Sequence, residues 1–452
     1  MGEIRDPIYG FITPSEFEFK IINTSIFQRL RKIKQLAMAH LVYPGANHTR
    51  FDHSLGVYHI ASLMAEKILP GKDYEEKRRI VRLSALLHDI GHGPFSHISE
   101  DILEKYSKHD CDTDKEKIHE KITIKLIENN KELGELLSSH EKDKIIGLLS
   151  GKMVDFTLMK EIISGPIDAD KMDYLLRDSY FCGVKYGIFD HHRMLNTLTS
   201  YAEGQDKHLA VDHDGINSLE QFVLAKYYMT IQVYRHKIRS VSDAMIIRGL
   251  ELGIEKDGID FLKRLYCFED TTGYIDNYIN YHDERIVDKL IHSDKNGFAK
   301  EIFKRLNQRR LFKTVFSKKL MDIEIGNEEI KDRMINISSV ENSKLRSKLE
   351  QQIANLDDLK CEKEFVIANS FTIKSVKEMS RNSEGEIIII DRKEDKKVFE
   401  KESTVFNSID ESMKDIKFEI YAPVRFKDQQ DKNKKLDRLE TNISEILKNM
   451  EG

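Results

Sequence analysis

The feature that most constrains this chain is an apolar run, Leu83 to Ile90, that carries His88 and Asp89 near its end and is followed at once by Gly91 and Gly93-Pro94. Such a run, stopped by glycine and proline, reads as the last turns of a buried helix. Adjacent side chains diverge along a continuing helix, but at a helix end an imidazole and a carboxylate can converge on one ion. Two further donors stand elsewhere: His53 in Arg50-Phe-Asp-His53-Ser-Leu-Gly, and Asp170 in Ile167-Asp-Ala-Asp170-Lys-Met-Asp-Tyr174. Two imidazoles and two carboxylates suit a hydrolytic metal. His92 and His97 follow closely on His88, a crowding that a lone buried histidine does not need and a site with ligands, phosphate contacts and a proton carrier does.

The chain has 452 residues, 40% of them hydrophobic, with no run of eighteen apolar residues, so one or two cores and no membrane span are expected. Charged residues make up 33%, above the roughly 25% of average domains, which points to a helical, well-solvated surface. A net charge of −5 gives no global attraction for nucleic acid, so an anionic ligand must be held by a local cluster. Cys111, Cys182, Cys267 and Cys361 are far apart and form no Cys-x-x-Cys, which argues against a zinc ribbon or a disulfide framework and for a reducing compartment. Met1 to Pro7 has no apolar signal region, and a cytoplasmic location is expected.

Periodicity predicts mostly helix from 15 to 260, with faces at Ile60, Leu63, Met64 and Ile68 and at Ile118, Ile122, Leu126 and Ile127. Residues 1–260 read as a catalytic domain and 261–360 as a helical extension. Within the extension, Phe298 to Leu320 is basic (Lys300, Lys304, Arg305, Arg309, Arg310, Lys313, Lys318, Lys319) and reads as a solvated helix face, with a nucleic-acid contact as its alternative. Residues 361–452 read as a small α+β lobe. Runs at Glu364–Ala368, Phe371–Ile373, Glu386–Ile390 and Lys417–Tyr421 predict a small antiparallel sheet with a turn at Ser383-Glu-Gly385. A charged linker then spans Asp428 to Lys435, and Leu436, Leu439, Ile443 and Leu447 mark a terminal helix. The expected fold class is mainly α, a helical catalytic lobe with a smaller α+β C-terminal lobe. No repeat, Walker loop or dinucleotide fingerprint is present.

Ordered blocks carry a family resemblance: Asp6-Pro-Ile-Tyr-Gly10, Ile22 to Leu36, Tyr43 to Gly56, Leu86 to His97, Asp168 to Asp178 and Tyr234-Arg-His-Lys237. Together they resemble the HD-domain deoxynucleoside triphosphate triphosphohydrolases over about half the chain. The resemblance implies that His53, His88, Asp89 and Asp170 bind iron, manganese or zinc, with magnesium bridging the substrate phosphates. It implies phosphate contacts from Arg50, Lys171, Tyr174, His92 and His119. His97 matches a catalytic histidine, and the His119-Glu120 step resembles a second histidine with an orienting carboxylate; Glu100 can support His97 in the same way. A histidine near its ordinary pKa, paired with a carboxylate, is apt for proton transfer at neutral pH.

Gln35, Leu36, Asp178 and Tyr234 match a sugar pocket that disfavours a 2′-hydroxyl. The vertebrate member with a SAM domain has arginine and histidine where this chain has Lys226 and Thr230, so two base-side or phosphate-side contacts differ. Asn23 replaces an aspartate that reads guanine in that enzyme's activating site, although Gln28 and Arg31 remain, and a neutral amide does not accept two N–H bonds as a carboxylate does. No counterpart of the SAM domain is expected.

The implied reaction is metal-assisted hydrolysis of a dNTP to deoxynucleoside and inorganic triphosphate by an allosteric homo-oligomer, dimer or tetramer, with a nucleotide effector. The alternatives are an HD-domain phosphodiesterase or phosphatase acting on another nucleotide or on nucleic-acid ends, and a non-enzymatic nucleotide-sensing or nucleic-acid-binding module.

Overall fold

A computed structural model describes residues 2–107, 117–152, 157–269, 271–380, 385–409 and 415–450. Cys111 and most of the expected turn at 383–385 lie outside these. The protein is mainly helical with small sheets. It divides into two compact units that interleave in sequence: Met1–Val233, Arg264–Ile286 and Val376–Glu411 form the first, and Tyr234–Lys263, Val287–Ser375 and Ser412–Gly452 the second. The sequence reading instead cuts the chain into three successive stretches. Among the described residues no helix is long and apolar enough to cross a membrane.

The first unit is organised around the helix Arg50–Ile68. Its start is written in Thr49 and Asp52, whose carboxylate accepts the Thr49 N–H and hydroxyl, both at 2.8 Å, a capping box that satisfies amides left open at a helix start. Helices Glu75–Leu87 and Ala169–Cys182 pack against it. Ile60 and Met64 are fully buried as expected, but Leu63 is 37% exposed, because the buried side of this helix centres on Val57, Ile60, Ala61 and Met64. Ile118, Ile122, Leu126 and Ile127 are all buried in the helix Ile118–Asn129.

The helix Glu75–Leu87 stops at His88, where the glycines and proline predict a stop. A side chain at Gly91 would overlap the backbone of His119 and Thr123, so glycine there lets the helix Ile118–Asn129 approach. Ser96 and the residue before it, Phe95, hold left-handed backbone, φ 54° and 65°, which costs energy in a non-glycine residue and persists only when neighbours enforce it. Here Asp283 Oδ1 accepts the Phe95 N–H at 2.8 Å and the Ser96 hydroxyl donates to Lys34 O at 2.7 Å. Asp168 caps the helix Ala169–Cys182 by accepting the Lys171 N–H at 2.7 Å, and Gly183 at φ 69° closes it.

Inside the stretch read as helical lies a hairpin, Leu198–Glu203 with Asp206–Asp212, turning at Gly204 with φ 64°. Ile388–Ile390 adds to it in parallel, and Lys396–Val398 pairs antiparallel with Ile388–Ile390. In the second unit Asp415–Ala422 lies between Lys313–Lys319 and Ile367–Ile373, antiparallel to both. The runs read as one antiparallel sheet therefore belong to two sheets in different units, since a strand's pattern gives its period but not its partner.

The basic stretch is likewise not one helix. Phe298–Asn307 is helical and Lys313–Lys319 is a strand, where Val315 and Phe316 are buried. Three of its cations pair with acids: Arg305 with Glu301, Lys318 with Glu440 and Lys319 with Asp415. The stretch read as a linker forms the opening turns of the helix Gln429–Lys448, with Asp428 as cap; Leu439, Ile443 and Leu447 are buried as expected.

Gly56 sits in the central helix where any side chain would run into the Asp173 carboxylate and the Arg177 guanidinium. Gly56→Ala is expected to lower stability by about 1–3 kcal/mol, read as a lower denaturant midpoint with helical content retained in the absence of denaturant.

Candidate metal centre

Three helices deliver the four expected ligand positions to one place. His53 lies one turn into Arg50–Ile68, His88 and Asp89 at the end of Glu75–Leu87, and Asp170 in the first turn of Ala169–Cys182. His53 Nδ1 is 2.8 Å from Asp173 Oδ2 and His88 Nδ1 is 2.7 Å from Ala85 O. These bonds to the outer nitrogens turn both Nε2 atoms inward, the arrangement by which proteins orient metal-binding imidazoles. Both Nε2 atoms are buried and make no hydrogen bond. His53 Nε2 is 2.9 Å from Asp170 Oδ1, close enough for an ion pair but outside hydrogen-bond geometry, and 3.7 Å from Asp89 Oδ2. His88 Nε2 is 3.3 Å from Asp89 Oδ1 and 4.0 Å from Asp170 Oδ1.

His53, His88 and Asp89 offer donor atoms all within 4.8 Å of one another. The donor set fits a divalent cation: two buried nitrogens without partners face two carboxylates, and one side is open at Asp170, whose side chain is 36% exposed. The local field agrees. Burial opposes a charge on His53, yet Asp170 and Asp173 outweigh it and raise its pKa to about 10. Burial likewise opposes ionisation of Asp89, but Arg50 and then His88 hold it well below the usual carboxylate range.

A second row of side chains flanks Asp89. Arg50 donates through Nη1 to Asp89 Oδ2 at 2.5 Å and through Nε to Ser96 Oγ at 3.0 Å. Its Nη2 is buried and unpaired. His92 Nε2 is 3.3 Å from Asp89 Oδ1, its ring is stacked on His119 at 4.0 Å, and the His97 ring stands edge-on to it at 5.2 Å. Burial, then Arg50, pushes the His92 pKa well down, so that this ring is a neutral hydrogen-bond donor. The pKa of His97 is also lowered, by desolvation first and then Arg50, rather than lying near its ordinary value. His92, Glu100 and His119 also lie close enough to suggest a second ion. The His92 and His119 rings are stacked, however, with their planes only 19° apart, so their lone pairs lie in nearly parallel planes, a poor arrangement for sharing one cation.

The carboxylate on His119 is Glu100, at 2.5 Å from Nδ1, and not Glu120, because consecutive residues on a helix diverge by about 100°. Lys171 is tied to Asp168 Oδ2 at 2.7 Å and Gly165 O at 2.9 Å. Tyr174 is half-buried one turn beyond Asp170. Asp178 accepts from His48 Nε2 at 2.7 Å, and His48 O accepts the N–H of buried Gln35 at 3.1 Å beside buried Leu36. Lys226 donates to Met379 O at 3.4 Å, and Tyr234 belongs to the second unit.

Sequence reasoning missed His48 and the set Asp6, Tyr9, Asp173 and Arg177. For the last two a signal existed, since Asp173 and Arg177 stand four apart on a helix.

Comparison with known proteins places this geometry. Residues 50–178 match the HD domain and residues 189–446 the HD associated region, the latter more than half of the chain. An uncharacterized protein of Methanocaldococcus jannaschii is 37% identical over 321 residues, which cover 69% of this chain and 65% of that protein. The deoxynucleoside triphosphate triphosphohydrolase SAMHD1 of Gallus gallus is 27% identical over 344 residues, 69% of this chain and 56% of the relative. The chain thus spans less than two thirds of the length of either. Among solved structures, a phosphohydrolase of Bacteroides thetaiotaomicron superposes with a TM-score of 0.72 at 25% identity, covering 93% of this chain and 99% of that one. With its candidate ligand residues gathered between helices of the matched HD domain, this chain belongs to the HD-domain family whose members carry the HD associated region.

Proposed function

We propose that the protein is a metal-dependent deoxynucleoside triphosphate triphosphohydrolase, which adds water at the α-phosphorus, releases the 5′-oxygen of the deoxynucleoside and leaves inorganic triphosphate. The observation that carries this reading is the pair of buried, unpaired Nε2 atoms of His53 and His88 facing Asp89 and Asp170. These four residues would hold a divalent ion, which when bound would make a water acidic enough for attack at phosphorus near neutral pH. The remaining work falls to side chains. Neutral His92, together with Arg50 and His119, lines the position where phosphate oxygens gather negative charge, and hydrogen bonds are strongest to charged acceptors. His97 lies beyond His92 on the exposed side of the row, where it can hand a proton to the leaving 5′-oxygen. Lys171 and Tyr174 follow Asp170 along one helix and hold the outer phosphates.

The sugar lies against Gln35, Leu36 and Asp178. These groups are already linked through His48, and Gln35 Oε1 is buried without a partner, so an amide oxygen is available to a sugar hydroxyl. A ribose 2′-hydroxyl left unpaired there would cost about 1–3 kcal/mol. The similarity to SAMHD1 supports the choice of a deoxynucleotide over other phosphate esters.

The test is product analysis on the full-length protein, stripped of metal and reloaded with manganese, iron or zinc, with each dNTP singly and in pairs. Triphosphate and deoxynucleoside are expected in equal amounts. Release of phosphate or pyrophosphate instead would move the assignment to another nucleotide phosphohydrolase, and turnover in mixtures alone would identify a nucleotide effector. His53→Ala and Asp89→Ala are expected to lose bound metal and all measurable turnover while keeping the helical circular dichroism of the parent. Normal metal content in either variant would refute the ligand assignment.

A further inference from the structure

The block Asp6-Pro-Ile-Tyr-Gly10 has no part in the chemistry above, yet its side chains reach the outer side of the ligand set. Ile4–Asp6 and Gly10–Ile12 pair as a short hairpin. Its turn is closed by Asp6, whose Oδ1 accepts the N–H of Ile8 at 2.8 Å and of Tyr9 at 3.0 Å. The other oxygen, Oδ2, accepts from Arg177 Nη1 at 2.9 Å. Arg177 donates through Nε to Asp173 Oδ2 and through Nη2 to Asp173 Oδ1, both at 2.9 Å. The Tyr9 hydroxyl donates to Asp173 Oδ1, also at 2.9 Å. Asp173 and Arg177 are fully buried, and His53 Nδ1 lies 2.8 Å from Asp173 Oδ2.

These bonds fix a direction. Arginine can only donate, and the Tyr9 hydroxyl is spent on the same carboxylate, so Asp173 acts as an acceptor at both oxygens. Nδ1 is then the nitrogen of His53 that carries hydrogen toward Asp173, and Nε2 is the one turned toward Asp89 and Asp170, where an arriving cation displaces any proton it holds. Without Tyr9 and Arg177 the Asp173 carboxylate would be free to rotate, and with it the imidazole plane.

We infer that the Asp6–Gly10 turn is a positioning element of the metal centre: through Tyr9 and Arg177 it locks Asp173, Asp173 locks His53, and the N-terminal turn thereby sets the affinity for the divalent cation. This rests on the ligand set proposed above. Losing such an outer partner of a metal-binding histidine typically costs about 10–100-fold in affinity.

The experiment is titration of the metal-free, full-length protein with Mn2+ by calorimetry, with the visible absorption of the Co2+-loaded protein as a second readout. Tyr9→Phe keeps the ring against His59, 4.9 Å away, and removes only the hydroxyl; several-fold weaker Mn2+ binding and an altered Co2+ spectrum are expected. Asp173→Asn should weaken binding by about 10–100-fold. Tyr58→Phe is the control: it lies on the same helix as His53, but its hydroxyl donates to a different buried carboxylate, Glu18 Oε2, at 2.8 Å. It should lower stability and leave Mn2+ affinity unchanged.

Parental affinity in Tyr9→Phe would overturn the inference, as would an equal loss in Tyr58→Phe, which would trace the effect to general loosening of the helix. His53→Ala, titrated alongside, separates the two levels: if it binds Mn2+ normally the ligand set itself is wrong, and if it alone loses the metal only the positioning role falls.

Discussion

Buried carboxylates in a helical core are costly, and the first unit is built around compensating them. Asp89, Asp173 and Asp178 are almost wholly buried, and Asp170 closes the same cluster from its open side. An ionised carboxylate in such a place persists only if cations and hydrogen-bond donors surround it. Asp173 takes Arg177, Tyr9 and His53; Asp89 takes Arg50; Asp178 takes His48. Among the described residues, the imidazoles of His53 and His88 are the groups that lie at ion-pair distance from both Asp89 and Asp170, and that is the point at which a divalent cation is electrostatically favoured.

The same economy governs the backbone. The turn that carries Phe95 and Ser96 in left-handed conformation is held by the buried acid Asp283, which accepts amide hydrogens from Phe95 and from Lys34, and by the Ser96 hydroxyl, which donates to Lys34 O. Burial raises the pKa of Asp283 to about 6 in spite of those two amides. Arg29 ties the neighbouring stretch by donating to His92 O at 2.9 Å and to Tyr281 O at 3.3 Å. His92 lies in this hydrogen-bonded stretch and His97 opens the helix that follows it, His97–Tyr106.

How much of this was legible before the structure depends on the range of the interaction. The stop after His88 is local chemistry, and the glycines and proline announce it. The buried stripes of Ile118–Asn129 and Gln429–Lys448 follow from period alone. The family resemblance pairs His119 with the adjacent Glu120, but adjacency on a helix separates side chains, and Glu100 from another helix fills that place. The strand at Lys313–Lys319 was hidden by its lysines, because only two of its residues, Val315 and Phe316, are buried, too few to mark a period. The hairpin beginning at Leu198 sits inside a long helical region, where its alternation is too brief to stand out.

The sequence by itself determined the chemical inventory: which residues can ligate a metal, where helices begin and end, and the kinship of the chain. Capping, glycine and proline placement, and ligand type act over a few residues and need no partner to be read. Only the tertiary structure decided which carboxylate meets which cation, that Arg50 faces Asp89, that His48 holds Asp178, and that Tyr9 and Asp6 stand behind His53. Those pairings join residues more than a hundred positions apart in several cases, and burial selects among the many donors and acceptors that composition alone leaves equivalent.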